Sequence, residues 1–112
     1  MGRKGFIGEF EQVVLLAALQ LENEAHAPAI GRKLEEDAGR PVSRGALYST
    51  LDRLERKGFL EWRIEARSAD GDGQSKRRFS VTEKGVEALR ASREMLLTLW
   101  KGLDEVLEGP SS

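Results

Sequence analysis

Hydrophobic and polar positions follow two different periods along this chain. Apolar residues fill most of residues 9–21 without a glycine or proline, which predicts a helix buried on more than one side. Residues 28–37 carry Ile30 and Leu34 at helical spacing, and Pro28 suits a first turn, where its missing N–H costs nothing. Both segments are therefore predicted to be helices.

The helix with the clearest start and stop signals spans residues 43–57. The Ser43 hydroxyl is a suitable N-cap, since it can accept from an amide that the first turn leaves unpaired, and Gly58 suits a left-handed C-cap. The apolar face consists of Leu47, Leu51 and Leu54, and the opposite face of Arg44, Tyr48, Ser49, Asp52, Arg53 and Arg56. A short turn containing glycine and proline precedes this helix, so the second and third helices have the outline of a helix-turn-helix unit.

After residue 58 the period changes from 3.6 to 2. Leu60, Trp62 and Ile64 alternate with charged residues, which predicts a strand whose apolar side chains, Trp62 included, pack on the core. A polar, glycine-rich loop over residues 68–75 leads to a second strand ending at Val81. A helix-turn-helix followed by a hairpin predicts a winged helix.

The last predicted helix covers residues 83–107, with Thr82 as its N-cap. A domain of this size cannot cover such a helix along its whole length, and the uncovered apolar surface calls for a partner, most simply a second copy of the chain. Gly102 marks a candidate kink. The predicted interface residues are Phe10, Val14, Leu89, Leu96, Trp100, Leu103 and Leu107.

The expected fold is mostly α-helical with a small β-hairpin. We expect a winged helix-turn-helix over residues 1–81, a dimerisation helix over 82–108 and a flexible tail over 109–112. With 112 residues the chain has room for one modest core.

Charge is distributed unevenly although the net value is only −1. Residues 40–78 carry ten Lys/Arg against six Asp/Glu, a net +4, whereas the segments before and after them are net −3 and −2. Such a distribution suits a protein that touches a polyanion with one face. There is no apolar run of the ~18 residues that a membrane span needs and no signal-peptide pattern, so a soluble, cytoplasmic protein is expected.

The sequence offers no basis for catalysis. Cysteine is absent, and the single histidine, His26, has no identifiable partner. No phosphate-binding loop, paired metal ligands or nucleophile motif is present, so we expect neither an enzyme nor a cofactor or metal site. The acidic and glycine residues of 70–73 are predicted to form a turn.

Four segments, residues 8–11, 13–17, 43–58 and 78–85, resemble PadR-type transcriptional regulators. The third carries the most specific pattern, a tyrosine, two leucines and a glycine at positions 48, 51, 54 and 58. The resemblance implies a winged-helix repressor, dimeric through its C-terminal helix, that binds palindromic operator DNA near its own or a neighbouring gene. It departs from the family at residues 26–28, where a Tyr-Gly pair is more usual.

The predicted contacts to double-stranded DNA form two groups. Residues Ser43, Arg44, Tyr48, Ser49, Thr50 and Arg53 belong to the helix expected in the major groove, and Arg63, Arg67, Lys76, Arg77 and Arg78 to a wing on the backbone or minor groove. Arg44 is the candidate for a bidentate contact to guanine. For any single exposed arginine, the alternative is an ordinary solvated cation.

Two further functional alternatives remain open. Trp100 is expected in the dimer core, but family members that bind flat aromatic compounds between paired tryptophans make it a candidate ligand residue as well. The winged helix could also bind a protein instead of DNA, although such a module has no need of a basic wing.

Overall fold

A computed structural model describes residues 7–65 and 76–109. The elements are α1 (Glu9–Leu21), a 3-10 turn (Glu22–Glu24), α2 (Ala27–Ala38), α3 (Arg44–Arg56), β1 (Leu60–Glu65), β2 (Lys76–Val81), α4 (Glu83–Trp100) and α5 (Asp104–Glu108). This order confirms the predicted fold, a winged helix-turn-helix followed by a long helix. Arg67, the loop at 68–75 and most of the predicted tail lie outside the described residues.

The ends of α3 follow the sequence signals. The Ser43 Oγ accepts from the Ala46 amide at 3.1 Å, as an N-cap does. Gly58 has a φ of +83°, and the Phe59 amide beyond it donates to the Leu54 carbonyl at 2.9 Å. This turn directs the Phe59 ring into the core, where it is one of the largest buried side chains.

The core lies between the first three helices and the hairpin, with α1 packed against α2, α3 and β2. Val14 is completely buried there, so its prediction as a dimer-interface residue is wrong. An apolar stripe in the sequence did not distinguish the face of α1 that meets α2 and α3 from the face that meets solvent. Phe10 is half-buried and carries the Arg40 guanidinium 5.3 Å from its ring centroid.

The hairpin pairs β1 and β2 antiparallel, with Trp62 opposite Phe79 and Ile64 opposite Arg77. Because side chains alternate across a strand, these four residues share one face of the hairpin. Phe79 is buried, but Trp62 is 36% exposed, so the prediction that Trp62 is a core residue is wrong. The core ends near Phe79, before the strands reach the tip.

Helix α4 begins in close contact with the hairpin. The Thr82 hydroxyl accepts from the Gly85 amide at 3.0 Å and donates to the Gly58 carbonyl at 2.6 Å. A Cβ on Gly85 would lie 2.5 Å from the Phe59 carbonyl oxygen, so only glycine fits there. The first turn of α4 is thereby fixed to the end of α3.

The far end of α4 differs from the expected single helix over 83–107. The helix stops at Trp100, Gly102 adopts a φ of +82°, and the short α5 follows. Glycine reaches this left-handed backbone without steric cost, which allows the break at the position where the sequence suggested a kink. All residues from 93 to 109 are exposed. No helix in the described parts of the chain combines the length and hydrophobicity that crossing a bilayer requires.

Candidate nucleic-acid interface

A cavity of about 500 Å³ opens between the start of α2, the first half of α3 and β2. Four cations from three elements line it, Arg32, Arg44, Lys76 and Arg77, against one carboxylate, that of Glu24. Three of them were predicted from the sequence to contact DNA, and Arg32 was not. The available signal was its place on α2, where Arg32 is exposed while Ile30 and Leu34 are buried.

The charges of these four cations are not neutralised within the described part of the chain. Within residues 7–65 and 76–109, none of them forms an ion pair with a carboxylate. Arg44 and Lys76 are also exposed, whereas Arg77 is half-buried. Their charge is therefore available to an anion that enters the cavity.

Tyr48 lies between two of the cations. Its ring is half-buried and has the Arg44 guanidinium carbon 5.8 Å and the Arg77 guanidinium carbon 5.9 Å from its centroid. These are cation–π distances, so the tyrosine helps to position both guanidinium groups. Ser49 on the next position of α3 is exposed, and Ser43 is exposed although its hydroxyl is already used as the N-cap.

Thr50 does not belong to this surface. It is 3% exposed and its hydroxyl donates to the Ala46 carbonyl at 2.9 Å. The prediction of Thr50 as a contact to phosphate or a base edge is therefore wrong. Its position on the helix turns it toward the core, together with Leu47 and Leu51.

Arg53, at the other end of α3, is bound to the protein itself. Its Nε donates to Glu11 Oε2 at 2.9 Å, and the Lys57 Nζ lies 2.9 Å from both oxygens of the same carboxylate. The Gly8 amide donates to Glu11 Oε1, also at 2.9 Å. Glu11 is 5% exposed, so this is a buried carboxylate that connects α1 to the end of α3.

The hydrogen bonds to Glu11 also shift the pKa of its carboxyl group. Burial of the carboxyl raises its pKa, but the hydrogen bonds from the Gly8 amide, Lys57 and Arg53 act in the opposite direction and outweigh burial. The pKa of Glu11 consequently lies below its ordinary value of 4.5, and the carboxylate is ionised at neutral pH.

The remaining wing cations have different surroundings. Arg78 Nη1 donates to Asn23 Oδ1 at 3.1 Å, and Arg78 Nε lies 4.0 Å from Glu65 Oε2. The other oxygen of Glu65 is hydrogen-bonded to His26 Nε2 at 2.7 Å. Arg63 is exposed and opposes Arg78 in the sheet register.

A second surface, away from the cavity, is apolar. A groove of about 500 Å³ lies between α1 and α4, and includes Leu16 and Leu19, which were absent from the predicted interface. Of the residues predicted there, Leu89 is half-buried, and Leu96, Trp100, Leu103 and Leu107 are exposed. Among the described residues, no cluster of His, Asp and Glu is arranged to hold a metal ion.

Comparison with known proteins gives a consistent result. The profile of the transcriptional regulator PadR-like family matches residues 15–91. A PadR family transcriptional regulator from Eggerthella lenta is 27% identical, with a TM-score of 0.65 over 91% of this chain and 88% of that chain. A PadR-like transcription factor from Bacteroides fragilis is 30% identical, with a TM-score of 0.60 over 95% and 90%.

A PadR-like transcriptional regulator from Bacillus cereus shares the fold, with 22% identity and a TM-score of 0.71 over 90% of this chain and 93% of that chain. No curated protein matches the chain. The matched region begins within α1 and ends within α4, so it contains all of α2, α3 and the hairpin. The chain belongs to the PadR-like family of transcriptional regulators.

Proposed function

We propose that this chain binds double-stranded DNA as a homodimer and represses transcription of its own or a neighbouring gene. The observation that carries the proposal is the cavity lined by Arg32, Arg44, Lys76 and Arg77, whose charges have no carboxylate partner within the described ranges. Unpaired cations from a recognition helix, the helix before it and the wing are what a phosphate backbone requires.

In this proposal α3 lies in the major groove, with its first turns toward the bases. Arg44 is in the first turn and exposed, so it is the candidate for a bidentate contact to guanine, while Ser49 and Tyr48 contact a base edge or phosphate. Lys76, Arg77 and the cavity residue Arg32 contact phosphates.

The other residues predicted to contact DNA are expected to contribute less to binding. Arg53 and Arg78 already have protein partners, so their cations are less available to DNA than those around the cavity. Arg63 is exposed on the opposite face of the hairpin from Arg77 and is assigned to the backbone. Arg67 lies outside the described residues.

The dimer proposal rests on the apolar surface of α4, α5 and α1. Large apolar side chains are exposed along it, among them Leu16, Leu19, Leu96, Leu97, Leu99, Trp100, Leu103, Val106 and Leu107. Exposed apolar side chains in this number indicate an interaction site, and a two-fold dimer covers them with an identical surface. We accordingly assign DNA binding to residues 1–81 and dimerisation to residues 82–108.

Selection of bound sequences from a random pool of duplex DNA tests the proposal. We expect enrichment of a palindrome whose half-sites lie about one helical turn apart, because a two-fold dimer presents its two recognition helices to successive major grooves. Enrichment of a single, unrepeated half-site would contradict the dimeric mode of binding. No enrichment at all would contradict DNA recognition.

The dimer is tested separately by Leu99→Glu, with Glu87→Gln on the same helix as the matched control. Leu99 is exposed, so a charge there costs little in an isolated chain but must be desolvated in an interface. Sedimentation should show a monomer for Leu99→Glu and a dimer for Glu87→Gln. A Leu99→Glu protein that remains dimeric would show that Leu99 lies outside the dimer interface.

A second candidate function, response to a flat aromatic effector, is supported by Trp100. Its side chain is partly exposed within the apolar surface, where a paired Trp100 from the second copy would stand opposite in a dimer. In a Trp62→Phe variant, Trp100 is the only tryptophan. Quenching of its emission by planar aromatic compounds, together with release of DNA, is the expected result. An unchanged emission across a broad panel would contradict the effector role.

The competing function is a winged helix that binds only a protein. A salt titration of binding to duplex DNA distinguishes the two, since affinity that depends on phosphates falls steeply with salt concentration. Absence of DNA binding even at low salt would favour the protein-binding module.

A further inference from the structure

An exposed apolar face on the hairpin is not explained by the core or by the cation cavity. Trp62 and Ile64 lie on the same face of the hairpin as the buried Phe79, yet they are 36% and 56% exposed. Contact between large apolar side chains and water is unfavourable. A partner surface that covers these two side chains would therefore bind with a gain in stability.

The surroundings of Trp62 indicate what covers it. The Arg77 guanidinium carbon lies 5.1 Å from the Trp62 ring centroid and 5.9 Å from that of Tyr48. The Arg44 guanidinium carbon lies 5.8 Å from the Tyr48 ring centroid. Arg44, Tyr48, Arg77 and Trp62 thus form a continuous row from α3 to β1, in which cations and rings alternate. We name it the arginine–aromatic row.

The row has a net positive charge and an uncharged aromatic end. Neither Arg44 nor Arg77 forms an ion pair in the described parts of the chain. A partner that fits must be anionic along most of the row and apolar at its end. Duplex DNA satisfies both demands, since each deoxyribose ring is bonded directly to the phosphates on either side of it.

We propose that Trp62 contacts DNA directly, packing its exposed side on a deoxyribose ring next to a phosphate bound by Arg77. This inference rests on the proposed DNA binding and extends the interface onto β1 by a residue that is uncharged. Ile64, two residues further along the same face, extends the apolar contact toward the tip.

The size of the effect follows from the exposed area. A tryptophan side chain buries about 200 Å² when fully covered, so covering its exposed third removes about 70 Å² from water. At the usual free energy per unit of apolar area, this corresponds to at most about 20-fold in affinity. Because the indole neutralises no phosphate, its contribution should not depend on salt concentration.

Fluorescence tests the contact without altering Trp62. In a Trp100→Phe variant, Trp62 is the only tryptophan, and its emission should change in intensity or wavelength on addition of the duplex recovered by the selection experiment. Trp62→Phe, which retains Trp100, is the matched control and should show a smaller change. An unchanged Trp62 emission under conditions where labelled DNA is bound would overturn the proposal while leaving DNA binding intact.

Substitution separates a direct contact from a role in positioning Arg77. Trp62→Ala should lower affinity by about 3- to 20-fold with an unaltered dependence on salt, and Trp62→Phe should restore most of the loss. If Trp62→Ala instead reduces the slope of log affinity against log salt by about one, as loss of one phosphate contact does, Trp62 acts only through Arg77 and the proposal is wrong.

The same variants identify a different occupant. If Trp62 emission in Trp100→Phe changes with protein concentration in the absence of DNA, a second copy of the chain covers the indole, which overturns the assignment to DNA. If the unsubstituted protein binds no duplex, the proposed function fails first, and the labelled-DNA measurement shows this independently of Trp62.

Discussion

Both ends of α3 carry cationic side chains, but these side chains have different surroundings at the two ends. At the start of the helix, Arg44 is exposed and lines a cavity with other cations that have no carboxylate partner in residues 7–65 and 76–109. At its end, Arg53 and Lys57 both bind the buried carboxylate of Glu11. One end is open to a polyanion, and the other is occupied by an anion from the protein.

A count of the cations on a helix therefore does not measure the capacity of that helix to bind DNA. A cation that is already paired must lose its partner before it gains a phosphate, so its net contribution is small. The pairing at the end of α3 instead holds the helix against α1, which keeps the open end in a fixed position. In the proposed interface Arg44 binds DNA, whereas Arg53, nine positions later, holds α3 against α1.

The largest expected effect is that of Arg44→Ala on DNA binding. We expect a loss of roughly 1–3 kcal/mol and a relaxed preference at one base position, because a bidentate contact to guanine is lost. Titration of the selected duplex and its single-base variants measures both. Arg53→Ala, the matched change at the paired end, should preserve the base preference. Equal loss of specificity in the two variants would abolish the distinction between the ends of α3.

The second effect is that of Glu11→Gln on stability. An amide cannot neutralise two cations, but Arg53 and Lys57 have side chains 45% and 33% exposed and can turn to water. We therefore expect a loss of about 2 kcal/mol in the free energy of unfolding, less than the cost of breaking a fully buried pair. Urea denaturation measures it at neutral pH.

Glu9→Gln is the control for this substitution. Glu9 is exposed and pairs with Arg40 at 2.8 Å on the surface, so its loss should leave the unfolding midpoint nearly unchanged. A Glu11→Gln protein as stable as the Glu9→Gln protein would show that the buried carboxylate does not hold α3.

A smaller effect is expected for Lys76→Ala, which removes one cation from the cavity. Affinity should fall a few-fold for all duplexes alike, and the salt dependence should lose about one unit of slope, since a phosphate contact carries no sequence information. Titrations at several salt concentrations measure this. A change in base preference would show that Lys76 contacts a base edge and would contradict its assignment to a phosphate.

The smallest expected effect is the acid dependence of the paired end. Because the pKa of Glu11 is below 4.5 in the folded chain, its stabilising contribution is complete above that value and is lost as the pH falls through the folded pKa. The difference in unfolding free energy between the unsubstituted protein and Glu11→Gln should shrink progressively below about pH 4.5. A difference that stays constant into acid would contradict the ionised carboxylate.

Features determined by neighbouring residues were predictable from the sequence. The capped ends of α3, the switch to a period of 2, the hairpin and the Thr82 cap are local signals, and each is present. The resemblance to PadR-type regulators was confirmed by the family match. Arg44, Lys76 and Arg77 were named from their place on these elements and do meet at one cavity.

Features that depend on distant residues were not predictable. Glu11 and Arg53 are separated by 42 positions, so no local pattern indicated that Arg53 is paired with a carboxylate. Thr50, Val14 and Trp62 were placed on the wrong side of the surface because periodicity gives the apolar face of an element but not where the neighbouring elements stop covering it. The exposed Trp62 and the cavity residue Arg32 follow from the packing alone.

The hydroxyl of Thr82 has a mechanical consequence. By accepting from Gly85 and donating to Gly58, it ties the first turn of α4 to the residue two positions beyond the end of α3. In the proposed dimer, a tilt of one α4 against the α4 of the second copy would therefore also move α3. In the proposed dimer, tolerance for an extra base pair between half-sites should accordingly be narrow.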